Sequence, residues 1–227
     1  MVIGGLQKLT LLDYPSKVAC TIFAHGCNFL CPFCHNASLV IEKPDSAISE
    51  EEIFSFLKKR VGVLDGVCLT GGEPLLQKDV ADFLKKVKAL GYSVKLDTNG
   101  SFPDKLALLI EENLVDYVAM DVKNCFDRYV FTAGIAADVK KIEKSIDLLK
   151  SGKVDYEFRT TIIKGHHDEE SVALMAETLT GAKRYFLQNF VDSGFLIGKA
   201  EGVSEENMRK FLAIAKRFVP NTELRGI

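Results

Sequence analysis

The sequence predicts an α/β fold, an incomplete (β/α)6 barrel of the TIM type with a parallel sheet inside and helices outside. Three observations lead there. Short β-rich runs alternate with segments whose apolar residues recur at helical spacing, and such alternation builds parallel sheets with right-handed crossovers. Six strand-plus-helix units fit between Lys17 and Phe218, near the ~30 residues each unit needs, whereas a closed eight-unit barrel takes ~250 residues. No Gly-x-Gly-x-x-Gly follows the first strand, which counts against the competing doubly wound dinucleotide fold.

The strand runs are Val18 to Phe23, Gly66 to Thr70, Tyr92 to Asp97, Val115 to Asp121, Tyr156 to Ile163 and Tyr185 to Phe190. Ser49 with Glu52 three residues on is a capping box that starts a helix ahead of Ile53, Phe54 and Leu57. A stripe of Val80, Phe83, Leu84 and Val87 marks the next helix, which carries Lys85 and Lys86 and which Gly91 closes as a left-handed cap. Val139, Ile142, Ile146 and Leu149 form another stripe, and Met208, Phe211, Leu212 and Ala215 a third behind Ser204, Glu205 and Glu206. No linker or low-complexity segment interrupts residues 1–227, so one domain is expected, with its core at about 17–218.

Hydrophobic residues make up 47% and charged residues 26% of the 227, the balance of a soluble globular protein. A formal net charge of −2 gives no broad basic face for nucleic acid. No apolar run approaches the ~18 residues of a membrane span, and Met-Val-Ile-Gly-Gly at the N-terminus lacks a charged region before an apolar one. A cytoplasmic protein, bound to neither membrane nor nucleic acid, is expected. Its six cysteines then point to metal or redox chemistry more than to disulfides. Cys20, Cys68 and Cys125 are scattered in or beside apolar runs and read as small buried hydrophobes.

Cys27, Cys31 and Cys34 are different. Three closely spaced thiolates can hold three corners of a cubane iron–sulfur cluster and leave the fourth iron open, as a site for chemistry requires. A zinc site would need a fourth ligand such as His25 or His35, and the x3-then-x2 spacing is unlike paired CxxC halves. Polar or glycine-rich oddities recur at the ends of successive strands, where parallel α/β folds place their chemistry. These are Thr70-Gly71-Gly72-Glu73-Pro74, Asp97-Thr98-Asn99-Gly100, Met120-Asp121-Val122-Lys123, Glu157-Phe158-Arg159-Thr160-Thr161 and Leu187-Gln188-Asn189. Two glycines let backbone approach a ligand closely, and Glu157 and Arg159 share one face of their strand. No general base is nominated, and His166 and His167, in a polar turn, are expected to face solvent.

Cys27-x3-Cys31-x2-Cys34 with Gly71-Gly72-Glu73-Pro74 resembles the radical S-adenosylmethionine enzymes. Leu12-Asp13-Tyr14-Pro15, Gly26-Cys27-Asn28, Cys34-His35-Asn36, Asp97-Thr98-Asn99-Gly100, Met120-Asp121-Val122-Lys123 and Arg159-Thr160-Thr161 narrow the resemblance to glycyl-radical-enzyme activating proteins. Closest are the barrel-sized activators of anaerobic ribonucleoside-triphosphate reductase, from about Gly5 to Gly226. Ser16 stands where that pattern has Gly, in a turn expected to lie away from the cofactor. Val40 to Ile53 lacks the extra cysteines of multi-cluster activators.

The resemblance implies that Cys27, Cys31 and Cys34 ligate a [4Fe-4S] cluster whose open iron is chelated by S-adenosylmethionine. Phe33 would lie near the adenine with His35 close by, and Gly71, Gly72, Glu73 and Pro74 would hold the methionine ammonium. Asp97, Thr98, Asp121, Lys123 and Arg159 would surround the ribose and carboxylate, and Gln188 the adenosine side. One electron from a flavodoxin or ferredoxin would release a 5′-deoxyadenosyl radical, which takes hydrogen from a glycine of a partner glycyl radical enzyme. Anaerobic ribonucleotide reductase is the expected partner. The alternatives are pyruvate formate-lyase, a radical enzyme acting on a small molecule such as a carboxy-deazaguanine-type synthase, and a non-catalytic iron–sulfur or zinc protein.

Overall fold

The computed structural model describes residues 1–43, 47–192 and 194–227, so residues 44–46 of the Val40 to Ile53 segment lie outside it. The strands are β1 (Ile3–Thr10), β2 (Ala19–Ala24), β3 (Gly66–Gly71), β4 (Ser93–Thr98), β5 (Tyr117–Asp121), β6 (Asp155–Ile162), β7 (Tyr185–Asn189) and β8 (Thr222–Arg225). They form one sheet in sequential order from β1 to β8. β1 runs antiparallel to β2, and every later neighbour pair is parallel. A doubly wound sheet reverses its strand order at a switch point; this sheet has none. β1 and β8 end the order without pairing to each other, so the barrel is open.

The six expected strands are present within a residue or two of their expected bounds. Two edge strands were not foreseen. β1 contains Gly4-Gly5 and shifts register between Ile3 and Gly5 and between Gln7 and Thr10, so no clean alternation marks it. β8 spans four residues, too short for a period to declare itself.

Helices α1 (Ala37–Ile41), α2 (Glu50–Lys58), α3 (Val80–Ala89), α4 (Pro103–Glu111), α5 (Tyr129–Ala133), α6 (Val139–Lys150), α7 (Glu169–Thr178) and α8 (Glu205–Ala215) connect the strands. The Ser49–Glu52 capping box starts α2, and the Ser204 side chain caps α8 at Asn207 N. Gly91 follows α3 with φ +87°. The main apolar core lies between sheet and helices. Ile22, Leu69, Val94, Leu96, Val118, Met120, Phe158 and Leu187 meet Phe83, Leu84, Leu106, Ile142, Ile146, Val172 and Phe211 there. Among the described residues, no helix is long and apolar enough to cross a membrane.

Because side chains alternate along a strand, the opposite faces of the same strands look into the barrel, and there the residues are polar. Lys95, Asp97, Asp121, Glu157, Arg159 and Gln188 line the cavities inside. Lys95 pairs with Asp97, whose other oxygen takes Arg159 Nη1 at 3.1 Å. Arg159 Nε reaches Asp121 Oδ1 at 2.9 Å, and Asp121 Oδ2 takes Lys123 Nζ at 3.1 Å. Three cations thus alternate with two carboxylates across β4, β5 and β6. Burial would raise both carboxyls, but Arg159 and the flanking lysines outweigh it and hold Asp97 and Asp121 below the usual carboxylate range. Glu157 and Arg159 share the inner face as expected but do not pair with each other. Glu157 takes Arg225 Nη1 at 3.0 Å and the Tyr117 hydroxyl at 2.9 Å. A small apolar cluster of Tyr14, Ala19, Tyr117 and Ala119 packs beneath.

Ser16 has φ +60° in the turn that brings Tyr14 under the barrel, a left-handed conformation that costs a non-glycine residue roughly 1–2 kcal/mol. Ser16→Gly removes that strain at some cost in unfolded-chain entropy, so thermal or urea denaturation is expected to show a gain of about 0.5–1 kcal/mol. Arg159→Met leaves Asp97 and Asp121 short of their shared cation. Urea denaturation at pH 7 is expected to show a loss of about 3 kcal/mol, at the low end for a broken buried pair because the Asp121 side chain is 34% exposed. The stability these depressed carboxyls contribute is present above ~pH 4 and lost below it. The gap between variant and wild type therefore narrows as pH falls from 5 to 3.

Candidate functional site

β2 ends at Ala24, and the chain then passes through His25 and Gly26 into the loop that carries Cys27, Cys31 and Cys34 before α1. Three backbone hydrogen bonds tie this loop to the turn after β3, to the end of α5 and to the segment after β7. Glu73 N–H donates to Gly26 O at 2.8 Å, Leu30 N–H to Ala133 O at 2.9 Å, and Gly198 N–H to Pro32 O at 2.8 Å. Two contacts require glycine. A Cβ on Gly72 would lie 2.0 Å from Gly26 O, and one on Gly134 would lie 2.1 Å from Leu30 O.

The loop, the Gly71-Gly72 turn and the charged row enclose a cavity of about 430 Å³. Cys27, Cys31, Cys34, Phe33, His35, Gly71, Gly72, Asp97, Thr98, Asp121, Lys123, Arg159 and Gln188 all line it. Burial pushes the Cys27 thiol up to about 12 and raises Cys31 and Cys34 as well. The Lys123 ammonium acts in the opposite direction on all three. Phe29 N–H donates to Cys27 Sγ at 3.3 Å. Buried thiols of this kind ionise when a metal takes them. Among the described residues no three His, Cys, Asp or Glu side chains gather closely enough for a single metal ion. The thiols border a common space, an arrangement that could hold a ligand with several metal corners. Phe33 is buried with Lys123 Nζ 5.9 Å from its ring centroid, and the exposed His35 ring lies 5.3 Å from that of Phe190.

Two expected residues are not brought to the cavity. The Glu73 side chain is 0% exposed and is bonded on both oxygens. Its Oε1 accepts from Leu75 N–H and the Thr98 hydroxyl, each at 2.9 Å, and its Oε2 from Asn99 N–H at 2.7 Å. Burial pushes this carboxyl up to about 7, against those three hydrogen bonds. Pro74 is buried at the start of a 3-10 turn. The turn thus offers backbone at Gly71 and Gly72, while Glu73 ties the end of β3 to the end of β4.

The histidine expectation also needs correction. His167 is 6% exposed. Its Nδ1 accepts from Ile163 N–H at 3.1 Å, so the proton sits on Nε2, which donates to Lys123 O at 2.9 Å. Burial lowers its pKa to about 4, keeping it neutral. His166 is half-buried and stacked on Phe131 at 4.3 Å. Cys20 and Cys125 lie in the apolar core, but Cys68, though buried, faces the barrel interior, with Sγ 3.9 Å from Lys95 Nζ and from Asp97 Oδ1. Asp13, Asn36 and Asn99 line the cavity and were not singled out as site residues. Each sits inside a quoted phrase, and Asp13 brings the Leu12-to-Ser16 turn to the site. Asn36 Nδ2 donates to Gly71 O at 3.0 Å, and Asn99 Nδ2 to Asn28 Oδ1 at 3.0 Å.

Glu73→Gln sets an amide NH2 against the Asn99 N–H or the donors at Oε1. Chemical denaturation is expected to show a loss of about 1–3 kcal/mol, the cost of a buried donor left unpaired.

Residues 21–177 match the family model described as the Radical SAM superfamily. The chain is 36% identical to a protein of Methanocaldococcus jannaschii named as a glycyl-radical enzyme activating enzyme, with 100% of this chain and 96% of that one covered. Among solved structures, a domain of pyruvate-formate lyase-activating enzyme from Bacteroides vulgatus aligns with a TM-score of 0.57 at 22% identity, covering 71% of this chain and 99% of the other. A radical SAM methyltransferase from Sphaerobacter thermophilus aligns with a TM-score of 0.76 at 13% identity, covering 96% of this chain and 68% of the other. At those identities the two structures speak for the fold alone. A polar-lined open barrel, a three-cysteine loop at its mouth and a family match across most of the chain agree: the chain belongs to the radical SAM superfamily.

Proposed function

We propose that this chain is an activase of a glycyl radical enzyme, with anaerobic ribonucleotide reductase as its partner. The carrying observation is that Cys27, Cys31 and Cys34 border the same cavity as the Gly71-Gly72 backbone and the charged row. The near full-length likeness to a protein named for activating glycyl-radical enzymes supports the reaction. Family membership implies a [4Fe-4S] cluster and S-adenosylmethionine, and the residues present fit both. The three thiols, buried at Cys31 and half-buried at Cys27 and Cys34, would ligate three irons. When bound, cluster and S-adenosylmethionine together supply hydrogen-abstracting radical chemistry.

The protein's own groups bind, orient and exclude. Gly71 and Gly72 present backbone to the methionine ammonium; Glu73 and Pro74 hold that turn in place from behind. Arg159 and Lys123 line the cavity and are the cations that would meet the methionine carboxylate. Asp97 and Thr98 would lie toward the ribose, Phe33 and His35 toward the adenine, and Gln188 toward the adenosine side. An open barrel leaves a way in for a polypeptide loop that a closed, side-chain-filled barrel would refuse. Flavodoxin or ferredoxin would supply the electron. All six cysteines are free, as suits a reducing cytoplasm.

The test is electron paramagnetic resonance on candidate partners after anaerobic incubation with reconstituted protein, reductant and S-adenosylmethionine. A glycine-centred doublet is expected on anaerobic ribonucleotide reductase and not on pyruvate formate-lyase, with Cys31→Ala lowering its yield at least ~100-fold. A doublet on pyruvate formate-lyase alone reassigns the partner. No doublet on either, together with turnover of a small molecule, would remove the activase reading.

A further inference from the structure

Tyr129 opens α5, the short helix between β5 and β6. Its side chain is 0% exposed, and its hydroxyl makes no hydrogen bond among the described residues. A buried hydroxyl left unpaired costs about 1–3 kcal/mol, and native structures rarely keep one without a reason. The backbone N–H of Lys123 approaches the phenol without bonding to it. An N–H can only donate, so the hydroxyl's own proton has no acceptor.

The surroundings show where an acceptor would be. The ionisable groups that act on the phenol are Lys123, Cys31 and Asp121, and Lys123 and Asp121 are already paired with each other. Cys31 is itself buried, 7% exposed. The Tyr129 ring packs edge-on against Phe29 at 6.3 Å, two residues before Cys31 in the chain. α5 cannot drift from the cysteine loop, because Leu30 N–H is bonded to Ala133 O and Gly134 lies against Leu30 O. A phenol, with an ordinary pKa of ~10, keeps its proton near neutral pH. A neutral thiol is a weak acceptor, whereas an iron-bound thiolate is a good one.

We infer that the Tyr129 hydroxyl donates a hydrogen bond to the Cys31 sulfur once that sulfur carries iron, and that this bond sets the reduction potential of the cluster. The inference rests on the cluster assignment above and not on the identity of the partner. Tyr129 is a positioning residue, since it reaches the reacting atoms only through the sulfur. A hydrogen bond to a cluster sulfur favours the reduced, more negative state and so raises the potential. The bond would also give a mate to a donor that otherwise has none among the described residues.

The experiment compares wild type with Tyr129→Phe, both reconstituted anaerobically and matched for iron and sulfide. The midpoint potential is read by an electron paramagnetic resonance-monitored redox titration, and the thermal stability of the metal-free proteins is read alongside. The Phe variant is expected to load its cluster, to show a more negative midpoint and, without metal, to melt no lower than wild type. Wild-type protein carrying 3-fluorotyrosine at position 129 keeps the shape with a stronger donor, and its midpoint is expected to move the other way. Equal midpoints in loaded proteins would overturn the inference. So would a metal-free Phe variant that melts lower with its midpoint unchanged, since the hydroxyl would then be bonded to an internal water. Should the Phe variant fail to load, the fluorinated protein decides between the same two outcomes. A wild type that takes up no iron and sulfide would overturn the cluster assignment itself, and this inference with it.

Discussion

The whole site depends on one short loop being held by backbone hydrogen bonds to three other parts of the chain. The bonds from Glu73 N–H, Leu30 N–H and Gly198 N–H are each modest, about 1 kcal/mol net. Their force lies in geometry. Gly72 against Gly26 and Gly134 against Leu30 leave no room for a methyl group, so the loop can sit in one place only. That placement gives three thiols a common cavity with the end of β3 and the charged residues of β4, β5 and β6. Glu73, withdrawn from the cavity, serves the same end by bonding β3's turn to Thr98 and Asn99 at the tip of β4.

The barrel is built inside out relative to a packed one. Its apolar core runs round the outside, under the helices, where burial of Leu, Ile, Val and Phe supplies the driving force. Its interior carries charge, and charge there is stable only when each group has a partner. The row from Lys95 to Lys123 meets that condition while spanning three strands, so its members cannot turn individually without stranding a neighbour. His167 extends the same logic beyond the row. Its neutral ring bridges Ile163 N–H and Lys123 O, fixing the backbone that carries the last cation.

Much of this was legible in the sequence, because short β-rich runs alternate with helical stripes and each run ends in a polar phrase. The cysteine spacing, the glycine pair and Asp97, Asp121, Lys123 and Arg159 announced themselves by type and position. What stayed hidden depended on partners far along the chain. β1 is an edge strand broken by glycines, and only its register with β2 defines it. Glu73 reads as a ligand until Asn99 and Thr98, 26 and 25 residues away, claim its oxygens. His167 sits in a turn of polar composition, and nothing local says that its ring folds inward. Asp13 reaches the cavity because Tyr14 is anchored against Tyr117, a contact between residues about a hundred positions apart.

The clamped loop spreads sensitivity far beyond the cysteines. A side chain at Gly134 would meet Leu30 O, and one at Gly72 would meet Gly26 O, so either change displaces the sulfurs while leaving every thiol in the chain. In zinc fingers the ligands themselves carry the site. Here residues that bear no donor atom share in aiming the ligands, and tolerance to mutation is set as much by missing methyl groups as by the thiols present.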